Sequence, residues 1–131
     1  MYATQAASYR EMEILSASPE RLVVICFDQL VIQLNRARIA AEQGDPRVRV
    51  AAMTKARAII TELLSTLDFE QGGRISTDLA AIYRFLLADL TDQALAPNAL
   101  RLVQLAAIAA DLRDGFDGAA KQLQRPLKRP A

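Results

Sequence analysis

Histidine is absent from this chain of 131 residues, and cysteine occurs only once, as Cys26. Because histidine is the commonest general base and metal ligand, its absence argues against an enzyme. Metal sites in helical bundles also need a Glu-x-x-His spacing that cannot occur here. A single cysteine excludes an internal disulfide, and a thiol without an activating partner is usually a small core residue. We therefore expect no catalytic residue, cofactor or metal site.

Neither charge nor hydrophobicity is concentrated enough to indicate nucleic acid or a membrane as a partner. Sixteen basic and fifteen acidic side chains leave a net charge of +1, too small for a field that attracts polyanions. The longest strictly apolar run, residues 22–27, is far shorter than the ~20 residues that span a bilayer. No secretion signal is recognisable at the N-terminus, so the sequence favours the reducing cytoplasm.

Glycine and proline are scarce, at five residues each, whereas apolar residues make up 52% of the chain. This composition is typical of a helical bundle, and the length suits one domain. Ser18-Pro19 and Asp45-Pro46 each combine a capping side chain with a proline suited to the first helical position. The Gly72-Gly73 pair should interrupt the apolar pattern, and Pro97-Asn98 should begin the last helix.

These signals predict helices over residues 19–43, 46–67 and from 74 or 76 to 94, with a fourth beginning at 97. Short connections between amphipathic helices favour an all-α, antiparallel, up-and-down four-helix bundle. We assign the bundle to residues 18–124, a short N-terminal cap segment to residues 1–17 and a flexible basic tail to residues 125–131.

A rotation of about 100° per residue assigns the core positions of each helix. In the first helix they are Leu22, Val23, Cys26, Phe27, Leu30, Leu34, Ala37 and Ala41. In the second they are Val48, Ala52, Met53, Ala56, Ile59, Ile60, Leu63, Leu64 and Leu67. In the third they are Ile75, Leu79, Ile82, Tyr83, Leu86 and Leu90, and in the fourth Leu102, Leu105, Ala109, Leu112, Phe116 and Leu123. Phe69 should pack against one end of the bundle.

Several apolar residues exceed what these core stripes need. They are Ile25, Ile32 and Ile39 in the first helix, Phe85 in the third, Val103, Ala106, Ala107 and Ala110 in the fourth, and Tyr9, Ile14 and Leu15 in the N-terminal segment. Two interpretations remain open: packing inside the bundle buries them, or they form a surface that binds another chain. The line of isoleucines could also mediate self-association, as in a scaffold or a regulatory homodimer.

Basic residues follow one another along the first two helices, with acidic residues interleaved. They are Arg36, Arg38, Arg47, Arg49, Lys55 and Arg57, with Glu42, Asp45 and Glu62 between or beside them. The simplest interpretation is a solvated polar face.

The order of motifs in this chain resembles the FliS family of flagellar export chaperones. The resemblance rests on residues 9–15 (YREMEIL) leading into Ser18-Pro19, and on residues 67–73 (LDFEQGG). It implies a cytoplasmic chaperone that binds the C-terminal segment of flagellin, prevents its polymerisation and brings it to the flagellar export apparatus. It also implies that the N-terminal segment is a movable cap, with Tyr9 at the family's characteristic tyrosine, and that the surplus apolar residues bind the partner.

The chain departs from the family pattern at three places. It has Phe27-Asp28-Gln29 where the family often has Tyr-Asp-Gly, Ala88-Asp89 where a basic pair is common, and Gly115-Phe116 where Ala-Trp occurs. These departures concern fine specificity more than the fold.

Overall fold

The computed structural model describes Ser8, Tyr9, Glu11, Met12 and residues 17–124, with side chains described as far as residue 122. Within residues 17–124 the chain forms four helices and no strand: α1 (Pro19–Glu42), α2 (Pro46–Ser65), α3 (Phe69–Leu95) and α4 (Ala99–Gln124). The three connections, residues 43–45, 66–68 and 96–98, have three residues each. Such short links make consecutive helices antiparallel. The predicted all-α four-helix bundle is confirmed.

Polar side chains start the helices as the sequence predicts. The Ser18 hydroxyl accepts a hydrogen bond from the backbone N–H of Arg21 at 3.2 Å, and Pro19 occupies the first helical position. Asp45 caps α2 in the same way, with Pro46 following it. These side chains satisfy amide groups that have no partner inside their own helix. The caps therefore fix where α1 and α2 begin.

The stretch around the glycine pair agrees with the prediction only in part. Asp68 accepts hydrogen bonds from the backbone N–H groups of Glu70 and Gln71, both at 3.0 Å, so α3 begins at Phe69 rather than after the glycines. The helix then kinks at Gly73, whose φ of 50° and ψ of −124° lie outside helical geometry. Glycine tolerates this conformation because it has no Cβ. The non-helical geometry at Gly73 therefore separates a short helical segment, residues 69–72, from the long helical run that follows, and the predicted interruption at the glycine pair is present.

The hydrophobic core is one cluster to which all four helices contribute. Its fully buried members include Phe27, Leu30, Leu34, Met53, Ile60, Leu86, Leu90, Leu102 and Leu105. The Phe27 ring stacks on Phe116 with centroids 5.3 Å apart and lies 6.3 Å from Tyr83, so it joins α1, α3 and α4. Cys26 packs against the edge of this cluster and is only partly buried.

Four predicted packing positions are wrong. Leu22 and Val48 are 36% and 39% exposed, because they lie in the first turns of α1 and α2, where fewer neighbours surround a side chain. Ile75 is 71% exposed: Ser76, only 5% exposed, takes the inward position, since its hydroxyl donates to the Asp68 carbonyl oxygen at 2.9 Å. Phe69, expected at a bundle end, is 50% exposed at the first position of α3.

The first helix is the centre of the packing. It contacts both α2 and α4, and α2 in turn contacts α3. In the part of the chain that is described, no helix is both long enough and apolar enough to cross a membrane.

Candidate functional site

A surface groove lies between α1 and α4 and has a volume of about 410 Å³. It is lined by Ile25, Asp28, Gln29, Val31, Ile32, Ala110 and Arg113, and we call it the α1/α4 groove. Three residues that the sequence singled out as surplus to the core, Ile25, Ile32 and Ala110, therefore meet at one place. Ile32 is 50% exposed. The groove thus offers apolar surface to another molecule.

Two ion pairs set the register between the helices that form this groove. Arg21 of α1 pairs with Asp117 of α4 at 2.7 Å, and Asp28 pairs with Arg113 at 3.3 Å. Residue numbers rise along α1 as they fall along α4, as expected of antiparallel neighbours. Asp28 and Arg113 line the groove, and the Arg21 and Asp117 side chains are about a quarter exposed. Hydrogen bonds from Arg21 and then Lys121 hold the pKa of Asp117 below its ordinary value.

The apolar face extends beyond the groove itself. Ile39 lies seven residues after Ile32, and Val103 seven residues before Ala110, so each shares a helical face with its partner. The antiparallel register places these two residues at the same level, and both are 43% exposed. From Ile25 to Ile39 the face is about 21 Å long, at a rise of about 1.5 Å per residue. Its length suits a helix of about four turns.

The remaining predicted residues of the helices do not all belong to this face. Ala107 is exposed, but Ala106 is only 6% exposed and belongs to the core, so its assignment to an open face is corrected. Phe85 is 47% exposed on α3, where the Arg101 guanidinium lies 5.6 Å from its ring centroid. Arg101 is fixed there by a hydrogen bond from its Nε to Asp89 at 2.6 Å. Phe85 therefore forms a separate α3/α4 surface.

Three predicted residues belong to the N-terminal segment. Tyr9 is 75% exposed. Ile14 and Leu15 lie outside the described residues.

A second depression, which the sequence did not predict, lies between the start of α1 and the end of α2. This α1/α2 pocket has a volume of about 420 Å³ and is lined by Pro19, Leu22, Val23, Cys26, Glu62, Leu63 and Thr66. It was missed because it joins two stretches about 40 residues apart in the sequence, and no local pattern reveals such a contact. A neighbouring hollow shares Val23, Leu63 and Thr66 and reaches the glycine turn, Tyr83 and Phe116.

Ionisation of Cys26 and Tyr83, which lie near this pocket and its neighbour, is disfavoured. Burial, with a smaller contribution from the negative charge of Glu62, raises the pKa of the Cys26 thiol. Burial likewise raises the pKa of Tyr83 to about 12. Since the thiolate is the reactive form of cysteine, a raised pKa makes Cys26 a poor nucleophile at neutral pH.

The possible metal ligands and the shape of the surface grooves together indicate the class of protein. Among the described residues, no three or more Cys, Asp or Glu side chains cluster so as to hold a metal ion. The open features are elongated and largely apolar, with charged rims, which is the form that helix-binding surfaces take. The molecule is a helical bundle with open apolar grooves between its helices.

Comparisons with known proteins identify the family. Residues 1–123 match the family described as "Flagellar protein FliS". The chain is 32% identical over 107 residues to the flagellar secretion chaperone FliS of Salmonella typhimurium, covering 81% of this chain and 79% of that protein. It is 27% identical over 108 residues to the flagellar secretion chaperone FliSB of Pseudomonas aeruginosa, covering 82% and 86%. The chain belongs to the FliS family, whose members are secretion chaperones and not enzymes.

Proposed function

We propose that this chain is a cytoplasmic chaperone that binds the C-terminal segment of flagellin, prevents its premature polymerisation and brings it to the flagellar export apparatus. The named relatives are flagellar secretion chaperones, and the resemblance of the sequence motifs implies that flagellin is the protein bound. The chaperone would occupy flagellin helices that otherwise pair in the filament.

The observation that carries this proposal is the α1/α4 groove and its extension to Ile39 and Val103. Apolar side chains at a seven-residue spacing, exposed along about 21 Å, match the anchor pattern of an amphipathic helix. Asp28 and Arg113 on the rim can orient the polar edge of that helix. A flagellin segment that folds on binding loses conformational entropy, so affinity depends on how much apolar surface these anchors bury.

The N-terminal segment, residues 1–17, is proposed as a movable cap over part of the binding surface. Ala17 and Ser18 lead directly into Pro19, which lines the α1/α2 pocket. A segment that leaves the bundle at this point can fold back over Leu22 and Cys26 of the same pocket. Tyr9, Ile14 and Leu15 would supply its apolar contacts.

Binding of the flagellin C-terminal segment by an Ile32→Glu variant tests the proposed site. Because Ile32 is 50% exposed, the variant should fold normally, whereas a carboxylate placed in the α1/α4 groove should weaken binding at least about tenfold, roughly 1.4 kcal/mol. Val50→Glu is the matched control, since Val50 is also 50% exposed but lies on α2 outside the groove. Isothermal titration calorimetry measures both affinities, and circular dichroism checks the fold.

An internal flagellin fragment serves as the specificity control in the same assay. Equal binding of the internal and C-terminal fragments, or binding of neither, would contradict the proposed function. Equal losses for the glutamate variants at positions 32 and 50 would remove the α1/α4 groove from the site.

Self-association through the same face is the second candidate function, because Ile32 and Ile39 are exposed at 50% and 43%. Such a bundle would be a scaffold or regulator. Sedimentation equilibrium separates the two functions: a tight dimer without flagellin supports the scaffold, and a monomer that gains mass only with flagellin supports the chaperone.

A further inference from the structure

A third groove lies between α1 and α2, and the proposed site does not use it. It has a volume of about 230 Å³ and is lined by Gln33, Arg36, Val48, Ala51, Ala52 and Lys55. We call it the Gln33 groove. Val48, Ala51, Ala52 and Lys55 follow one another on one face of α2, while Gln33 and Arg36 are one turn apart on α1. The groove therefore combines an apolar wall with polar groups from both helices.

The groove holds a buried hydrogen-bond acceptor without a partner. Gln33 is only 8% exposed, and its Oε1 atom is fully buried and accepts no hydrogen bond within the described part of the chain. A buried carbonyl oxygen that has lost water and gained no donor opposes folding. Because Gln33 lines the groove, a rotation of its side chain would bring this oxygen to the groove surface, where a donor from another molecule could satisfy it.

Positive charge flanks this acceptor without compensation. Neither Arg36 nor Lys55 forms an ion pair with any residue that the structure describes, whereas Arg38, also on α1, pairs with Glu42 at 3.1 Å. Two cations at the rim of a small groove attract a carboxylate. The groove is thus complementary to a group that carries a negative charge close to an N–H donor.

The carboxyl terminus of a polypeptide has both groups in that arrangement. Arg36 is one helical turn from Gln33, about 4.5 Å along the axis, which is comparable to the distance between a terminal carboxylate and the preceding backbone N–H groups. An acidic side chain on a docked helix would meet the cations, but its backbone N–H groups are already bonded within the helix and would leave Gln33 unpaired. Recognition of terminal carboxylates is a known mode of peptide binding.

We propose that the Gln33 groove binds the carboxyl terminus of the flagellin C-terminal segment. Arg36 and Lys55 hold the terminal carboxylate, and an apolar side chain of the segment packs on Val48 and Ala51. The Gln33 side chain rotates toward the groove, so that its Oε1 accepts a backbone N–H of the last residues. This proposal rests on the proposed function and adds to it a recognition point for the chain end.

A pair of synthetic flagellin segments tests it with the full-length chaperone. One segment ends in a free carboxylate and the other in a carboxamide, so they differ only in the charge at the end. The amide form should bind at least about tenfold more weakly, the loss expected when a charge-assisted contact is removed. The double variant R36Q/K55Q should bind both forms with equal affinity, because it has no cation left to discriminate them.

The control variant R47Q/R57Q removes two other cations of α2 that do not line the groove, and it should keep the full preference for the free carboxylate. Q33L should bind both forms more weakly than the unmodified chaperone, while melting at the same or a higher temperature. Equal binding of the two segments by the unmodified protein, or a preference retained in R36Q/K55Q, would overturn the terminal contact. Unchanged affinity in Q33L would exclude the amide from it.

The two proposals fail in different ways. If the segments bind equally well and Ile32→Glu still weakens them, only the terminal contact is wrong. If neither segment binds the unmodified chaperone, both proposals are wrong.

Discussion

Gly72 and Ser76 determine the local structure of the first turns of α3. The Gly72 backbone N–H donates to the Asp68 carbonyl oxygen at 2.8 Å, and the Ser76 hydroxyl donates to the same oxygen at 2.9 Å. A Cβ at position 72 would lie 1.9 Å from Ser76 Oγ. A side chain at position 72 and the Ser76 hydrogen bond therefore exclude each other.

Gly72→Ala should reduce the free energy of unfolding by about 1 to 3 kcal/mol, because Ser76 is buried and its hydroxyl would lose its acceptor. Urea denaturation followed by circular dichroism measures the loss. Gly118→Ala is the control: nothing lies within 4 Å of a Cβ at this helical position, so it should stabilise by up to about 1 kcal/mol. The double variant G72A/S76A should recover part of the stability. A neutral Gly72→Ala would refute the steric explanation.

At the scale of elements, the ion pairs between α1 and α4 make the contact between these helices depend on pH. Asp117 accepts hydrogen bonds from Arg21 and Lys121, which lower its pKa from the ordinary 3.8. The folded protein therefore releases this proton more readily than the unfolded chain does. The stabilisation is fully present above the unfolded pKa and is lost as the pH falls through the lower, folded pKa.

Asp117→Asn should lower the melting temperature at neutral pH and should lessen the further fall in stability between about pH 5 and pH 2. Thermal melts across this range, monitored by circular dichroism, give both quantities. Asp92→Asn is the control, since Asp92 is exposed and forms no salt bridge among the described residues. If the variants at positions 117 and 92 show the same acid profile, the pair with Arg21 does not stabilise the contact.

The helices themselves were predictable because their signals are local. Ser18-Pro19 and Asp45-Pro46 specify helix starts within a few residues, and periodic apolar residues such as Phe27 and Leu30 specify an inward face. The grooves were only partly predictable. Ile25 and Ile32 are recognisable as surplus apolar residues on one helix, but Asp28 and Arg113 are 85 residues apart, and no local pattern shows that they meet.

Two errors arise from local departures from a regular helix, and a third arises from a residue type that fits either environment. The assignment of core positions assumes a uniform rotation per residue, and Gly73 breaks that rotation just before Ile75. Asp68 caps a short helical segment, residues 69–72, that ends at the break at Gly73, and so short a segment has no apolar periodicity that would reveal it. Ala106 was assigned to an outer face because alanine is compatible with either environment, and only the approach of a neighbouring helix decides between them.

At the scale of the whole molecule, the N-terminal segment and the bundle should act as separable parts. Deletion of residues 1–17 leaves the core residues in place, so the shortened chain should still melt cooperatively. If the segment covers the α1/α2 pocket, Cys26 should react faster with iodoacetamide in the shortened chain. If the flagellin segment extends into this pocket, its affinity should also rise, because the cap no longer competes for the pocket. Mass spectrometry and calorimetry measure the two effects.

Deletion of residues 125–131 provides the control and should change neither the alkylation rate nor the affinity. Unchanged reactivity and unchanged affinity after the N-terminal deletion would argue against a cap.

The α1/α4 contact pairs the first helix of the bundle with the last, and the Arg21–Asp117 pair joins residues 96 positions apart. The contacts of α1 with α2 and of α2 with α3 join neighbours in the sequence. Closing the α1/α4 contact carries a larger loop entropy than closing either of these. A ligand in the groove touches both helices and would bind only the closed form. The melting temperature should therefore rise with ligand concentration, and α4 should show slower amide hydrogen exchange when the groove is occupied.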